Sequence, residues 1–330
     1  MTAPLDPPPS AWLLDGRGGG HALDRDALAG PRGREGPVWI DLDEGDQAAR
    51  AWLLGEAGLG REDGERFLRQ SAWPRVVEPH PERLLVYMRV PDPERSVASG
   101  VFVLLRLWFE PGRAISMCLR EIPEFAELKR RLAQGRGPRT IGEILLAQVE
   151  LTALRMSEAV VPLRVALGDL DAALEEGAEF PMERFARLRR HALGYERYVD
   201  PHGDLLLRLR GLELPWLEAP DGERRWHTAV DFFGTMMKEV DAIVDHARAL
   251  QDSLAHRTSE QINRRILVLT VVSTILLPLS LITGLFGSNI GTRGGNVAGA
   301  ASPLWFVALV VFLGLVGLAV FLFLRYRRLL

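Results

Sequence analysis

Four polar residues in the last third of the chain share one face of a helix when it is counted in sevens: Asp245, Asp252, His256 and Asn263. Counting back from Ile266 meets Ser259, Asp252 and Asp245. Counting back from Leu277 meets Thr270, Asn263 and His256. Imidazole and carboxylate on one face suit a borderline-soft divalent cation such as zinc, so Asp252 and His256 are candidate metal ligands. The same spacing also suits solvated polar side chains on an exposed helix. A straight helix drifts by ~20° per heptad unless it supercoils, so the outer positions are the weaker ones. Asp241 and Asp245, four apart, could hold a metal on another face, though plain surface charge is the simpler reading. Elsewhere, Asp41, Asp43, Glu44 and Asp46 read as a solvated loop rather than a metal cage. Asp15 to Gly20 lacks the GxxxxGK[ST] pattern and reads as a turn. The single cysteine, Cys118, excludes a disulfide framework and any CxxC zinc or redox site.

The face continues downstream into apolar sequence. Ser273 and Ser280 are seven apart, and Ile266, Leu277 and Gly284 extend the same stripe. Small, weakly polar side chains in a narrow stripe suit either a helix–helix contact or a water-filled pore. Taken alone the stripe favours packing. Two spans cannot enclose a pore within one chain, so conduction would need a symmetric oligomer contributing one such helix per subunit.

The elements that must position these residues divide the chain sharply. From Arg264 onward there are six Arg and no Asp or Glu, whereas residues 1–263 carry a net charge of −9. Residues 266–286 and 304–324 are two uncharged runs, each matching the ~20 residues that cross a bilayer core. Arg264 and Arg265 precede the first span; Arg325, Arg327 and Arg328 follow the second; the loop 287–303 holds only Arg293. The positive-inside rule puts both ends in the cytoplasm and the loop outside. Trp305 and Tyr326 stand near the ends of the second span as interfacial anchors. The Pro-rich start, Met1 to Ser10, shows no secretory pattern.

Residues 1–138 read as an α/β cytoplasmic domain. Val38–Ile40, Leu84–Met88, Val101–Phe109 and Ala114–Leu119 are expected strands; Gln47–Leu54, Glu65–Gln70 and Glu124–Ala133 are expected helices. Residues 139–265 read as a helical region ending in a stalk. Helices are expected over Ile141–Leu174 and Met182–Leu209, with Pro201-His202-Gly203 marking a break or turn. Asp221 can cap a last helix that runs unbroken from Gly222 to Phe286, roughly 98 Å at 1.5 Å per residue.

At the outer end of the first span stands Thr283-Gly284-Leu285-Phe286-Gly287-Ser288-Asn289-Ile290-Gly291. A two-span chain with an acidic soluble part, a long stalk and Gly-x-Asn after the first span resembles the CorA-type divalent-cation transporters, which carry Gly-Met-Asn there. Leu281-Ile282-Thr283-Gly284-Leu285-Phe286-Gly287 with Asn289-Ile290-Gly291, Ala11 to Gly19, and Leu214-Pro215-Trp216 are similar to the ZntB zinc-transporter branch. The resemblance implies a homopentameric funnel with one pore lined by the first span of each subunit. It makes Gly287, Ser288 and Asn289 the selectivity motif, with Asn289 forming the outer ion ring. It places Ser280, Leu277, Ser273 and Leu269 on pore-facing positions, and Asp252 and Asn263 on polar pore-lining ones. That mapping agrees with the stripe and turns its reading from packing to pore, adding Ile266 and Gly284. Ser288 departs from the usual apolar middle residue, and Arg293 stands in a loop without acidic residues.

The expectation is therefore a zinc transporter rather than an enzyme, with proton coupling left open and no cofactor beyond the transported ion. Magnesium, cobalt, nickel and cadmium are the other candidate ions, a CorA-like magnesium or cobalt channel being the nearest alternative. The expected partners are four further copies, divalent cations and the lipid of a bacterial inner membrane, not nucleic acid. A membrane-anchored metal sensor without transport is the alternative of another class, but an anchor needs neither Gly-x-Asn nor a polar stripe confined to the first span.

Overall fold

The computed structural model describes residues 10–23, 36–177, 180–214, 221–287 and 303–326. Seven strands form one sheet: β1 (Ser10–Leu14), β2 (Gly20–Leu23), β3 (Val38–Asp43), β4 (Arg75–His80), β5 (Arg83–Pro91), β6 (Phe102–Glu110) and β7 (Arg113–Cys118). Their order is β2-β1-β3-β7-β6-β5-β4, and β3–β7 is the parallel pair among antiparallel neighbours. Helices α1 (Gln47–Gly55) and α2 (Arg61–Leu68) follow β3, and α3 (Pro123–Ala133) follows β7. Leu84 to Met88 are all fully buried, because both faces of β5 are covered; this is why that stretch reads as an unbroken apolar run. Leu85 and Tyr87 join Trp52, Phe67, Trp108 and Met117 in one core, while α4 (Ile141–Glu175) packs against β5 and β7.

The expected strands and helices all form, with shifted ends. Strands β1, β2 and β4 were not expected. The Asp15 turn joins the first two: Asp15 Oδ1 accepts from the backbone N–H of Arg17 (2.7 Å) and Gly19 (2.9 Å). β4 contains Pro79, which survives because β4 is an edge strand needing hydrogen bonds on one side only. Helix α2 starts at Arg61 rather than Glu65. Glu62 and Asp63 in its first turn favour that start through the helix dipole.

Two corrections concern polar residues. Of the acidic residues at the end of β3 and just after it, Asp43 is exposed as expected, but Asp41, Glu44 and Asp46 are engaged rather than solvated. Asp41 binds Lys129 Nζ (2.8 Å) and Ser116 Oγ (2.8 Å), and Glu44 grips the fully buried Arg106 guanidinium through two bonds of 2.8 and 3.0 Å. Asp46 caps α1 by accepting from Ala48 N–H. Pro201-His202-Gly203 is no break either: α5 (Met182–Arg210) runs through it. His202 is fully buried, accepts from the Arg89 backbone N–H (3.3 Å), and stacks on Phe233. Strand β4 begins opposite Tyr87, so β5 projects beyond it and the Arg89 N–H needs another acceptor. Tertiary packing supplies one from inside the helix and thereby overrides the local breaker.

Helix α6 (Gly222–Gly287) is 66 residues long and unbroken, as the uninterrupted sequence required, and α7 (Pro303–Tyr326) has 24 residues. The chain divides into two compact units, Met1–Arg248 and Ala249–Leu330; α6 contributes to both.

Candidate functional site

The apolar half of α6 is the helix among the described residues that is long and apolar enough to cross a membrane. Its exposure around the axis is uneven. Val271, Ile275, Pro278, Leu279 and Ile282 are half-buried, at the i, i+4, i+7 spacing of one helix face. On α7 the half-buried residues are Leu313, Val316 and Gly317, again one face. The two faces meet where a Cβ on Gly317 would lie 3.9 Å from Leu279 Cδ1.

Ser273 and Ser280 stand on the other side. At 100° per residue the stripe Ile266, Leu269, Ser273, Leu277, Ser280 and Gly284 centres about 180° from the face toward α7. All six are exposed, and Leu269 and Leu277 reach 67% and 68%. Nothing within 4 Å would meet a Cβ on Gly284. The stripe is thus left uncovered in a single chain, although its residues are no more polar than a packing seam.

Hydroxyl groups around the span are partly committed to the helix itself. Thr270, Thr274 and Thr283 donate to the carbonyls of Ile266, Thr270 and Leu279 at 2.8–2.9 Å. Pro278 has no N–H, so the Thr274 carbonyl lacks its usual helical donor. The serines at 273 and 280 donate to no backbone carbonyl in this way, which leaves them able to meet water or an ion.

Upstream, Asp252, His256 and Asn263 are exposed on α6. Asp252 and His256 are one turn apart. Among the described residues, no three His, Cys, Asp or Glu side chains gather into a metal cage within one chain. Asp245 is engaged instead as a salt-bridge partner, accepting from Arg248 Nη1 at 2.7 Å, while Arg248 also approaches Glu196 of α5 (3.5 Å). Gly287 ends α6; Ser288, Asn289 and Arg293 lie outside the described residues. Cys118 is buried and its thiol is pushed up to about 11 by burial, so it offers no reactive sulfur.

A long helix entering an apolar span, a second helix covering one side of it and a small-residue stripe left open on the other suit a subunit of an ion path. A family model described as CorA-like Mg2+ transporter protein matches residues 34–327. The chain belongs to this family. It is 28% identical over 324 residues to the divalent cation transporter CmaX of Pseudomonas aeruginosa, covering 96% of this chain and 95% of that one. It is 26% identical over 304 residues to the zinc transport protein ZntB of Cronobacter sakazakii, covering 92% and 91%. The solved full-length CmaX superposes with a TM-score of 0.79, covering 98% of both chains. The CorA magnesium transporter of Methanocaldococcus jannaschii shares the fold, with a TM-score of 0.76 at 17% identity and 98% coverage of both. The protein is a membrane transporter of divalent cations, not an enzyme.

Sequence reading missed one surface feature of the unit Met1–Arg248. Helix α4 presents an exposed apolar row that ends at a cavity beside the buried carboxylate Glu124. The signal was available as heptad spacing, but a 35-residue helix that is apolar on most sides conceals which row faces outward.

Proposed function

We propose that the transporter is a homopentamer in a bacterial inner membrane, with both termini cytoplasmic, and that it carries zinc through a central path lined by the first span of each subunit. The observation that carries the reading is the opposition of the two faces of α6: one is turned to α7, and the other is an exposed row containing Ser273, Ser280 and Gly284. Five such rows brought together would make a narrow channel of hydroxyls, backbone and apolar constrictions. At its outer end a ring of Asn289 amides would hold part of a cation's hydration shell without trapping the ion. At its inner end rings of Asn263, His256 and Asp252 would supply mixed nitrogen and oxygen ligands from several copies, which no single chain provides. Counted in sevens, as Asn263, His256 and Asp252 are, Arg264 and Arg265 fall off the row, so the cationic inner end of the span need not block it.

Zinc is supported by the ZntB relatives, which match nearly the whole chain at 26–27% identity, and by imidazole beside carboxylate on α6. Magnesium is the second reading. It is favoured by the first span itself, whose polar side chains are hydroxyls, hard oxygen ligands with no sulfur or nitrogen among them.

Proteoliposomes reconstituted with the purified protein decide between them. Zinc influx exceeding magnesium influx at equal concentration is expected, and the reverse order would make magnesium the cargo. Repeating the assay with a pH gradient tests proton coupling. Molar mass in mild detergent is expected to correspond to five chains; a stable dimer would overturn the central path.

A further inference from the structure

Helix α4 carries a row spaced 4, 3, 4, 3, 4: Leu154, Glu158, Val161, Val165, Gly168 and Ala172. This is the a/d spacing of a helix that pairs with another helix. In the chain the row is exposed; Leu154, Val161 and Val165 are 56%, 52% and 59% accessible. Gly168 has no internal reason to lack a side chain, since a Cβ there would meet nothing within 4 Å. A glycine costs a helix interior about 1 kcal/mol, and its usual return is close approach by another backbone.

One end of the row is acidic. Leu151, Leu154 and Glu158 border a cavity of about 290 Å³ that also meets Glu124 and Arg155. Glu124 is 2% exposed, binds Arg155 Nη1 at 3.0 Å through Oε2, and its Oε1 has no hydrogen-bond partner. Glu158 is exposed and makes no ion pair among the described residues. A complementary surface would be a helix with small and apolar residues around one unpaired base.

Helix α5 has such a face. Met182, Ala186, Arg189 and Leu193 repeat the 4, 3, 4 spacing and are all exposed. Among the described residues Arg189 has no ion-pair partner, whereas nearby Arg184 is held by Asp169. The two faces belong to one chain but cannot meet within it. The Arg184–Asp169 contact marks the antiparallel register, in which Glu158 falls opposite residue 195 and Arg189 lies about 9 Å further along the axis.

We propose that the α4 row of one subunit docks on the α5 row of a second copy of this chain, with Arg189 of that copy reaching Glu158 at the cavity mouth. The contact is heterologous, joining two different faces, and a heterologous contact that closes makes a ring. It rests on the oligomeric reading above and assigns that assembly a contact outside the stalk and the first span.

The test is a disulfide between Glu158→Cys and Arg189→Cys. Cys118 can stay because its buried thiol does not react. With both substitutions in each chain, mild oxidation in the membrane should give a ladder of cross-linked species up to the full oligomer. A mixture of the two single variants should stop at dimers, and each single variant alone should stay monomeric. No ladder from a protein whose molar mass is still oligomeric would overturn the contact while leaving the assembly standing. A monomeric mass would overturn the assembly itself. Independently, Glu158→Arg should raise the concentration at half-assembly by about fivefold, the range of an exposed ion pair. Adding Arg189→Glu should restore it. Equal effects of the single and double variants would overturn the pairing.

Discussion

Leu279 of the first apolar helix and Gly317 of the second face each other so closely that a Cβ added to Gly317 would fall 3.9 Å from Leu279 Cδ1. The contact determines which side of α6 is occupied and leaves Ser273 and Ser280 on the opposite side. A bulky residue should therefore act differently on the two faces. Ser280→Phe is expected to lower cation flux about tenfold or more while assembly is kept, because it narrows the path. Gly317→Leu is expected to weaken the helix pair and lower the yield of assembled protein. Val272→Ala, between the two faces, should do neither. Flux and molar mass measured together for the three variants check the assignment.

Asn289 should meet the partly hydrated ion at the outer mouth. Asn289→Leu is expected to remove most zinc flux with expression and assembly unchanged. Arg293→Glu is expected to raise uptake at low salt and to do less near physiological ionic strength, where screening limits an exposed charge to ~8 Å. Full flux in Asn289→Leu would place selectivity elsewhere.

His202 makes the unit Met1–Arg248 acid-sensitive. Burial lowers its pKa to about 4, although the Tyr198 carbonyl that accepts from Nδ1 works the other way. The folded pKa is below the unfolded value of ~6.5, so the folded state resists taking up the proton. Its stability advantage is complete above that value and is lost as pH falls toward 4. Between pH 7.5 and pH 5 the loss should be about 2 kcal/mol. Thermal melts of wild type and His202→Gln across this range check it, since the variant should lose the part of the pH dependence that His202 causes.

Arg106 is fully buried and held by Glu44, whose carboxyl sits below its usual range because the Arg106 bonds and charge outweigh its burial. Glu44→Ala would strand that cation and should cost about 3–5 kcal/mol. The pair replacement Glu44→Gln with Arg106→Met should cost clearly less. Urea melts that ranked the two the other way would contradict the ion-pair account.

Gly194 and Gly100 touch through backbone. A Cβ on Gly194 would collide with the Gly100 carbonyl oxygen, and one on Gly100 would stand 2.5 Å from that of His191. Gly194→Ala should cost about 1–3 kcal/mol through forced separation, read as a lowered melting temperature. Gly203→Ala, open on its Cβ side, should be neutral or stabilising.

The sequence alone determined the two apolar runs, the unbroken α6, the β5–β7 core strands and the row of Ser273 and Ser280. Each is a local pattern, readable because a membrane or a buried sheet imposes one rule on every residue of a run. It did not determine the fate of Glu44, Asp41 or His202. An acidic loop and a Pro-His-Gly stretch look solvated or broken until Arg106, Lys129 and the Arg89 N–H arrive from distant strands and helices. Nor could it say which side of α6 is covered, because Leu279 and Leu277 are the same residue type two positions apart. Only the placement of Gly317 beside one of them separates the packed face from the open one, since burial depends on what lies across the gap and not on the residue itself.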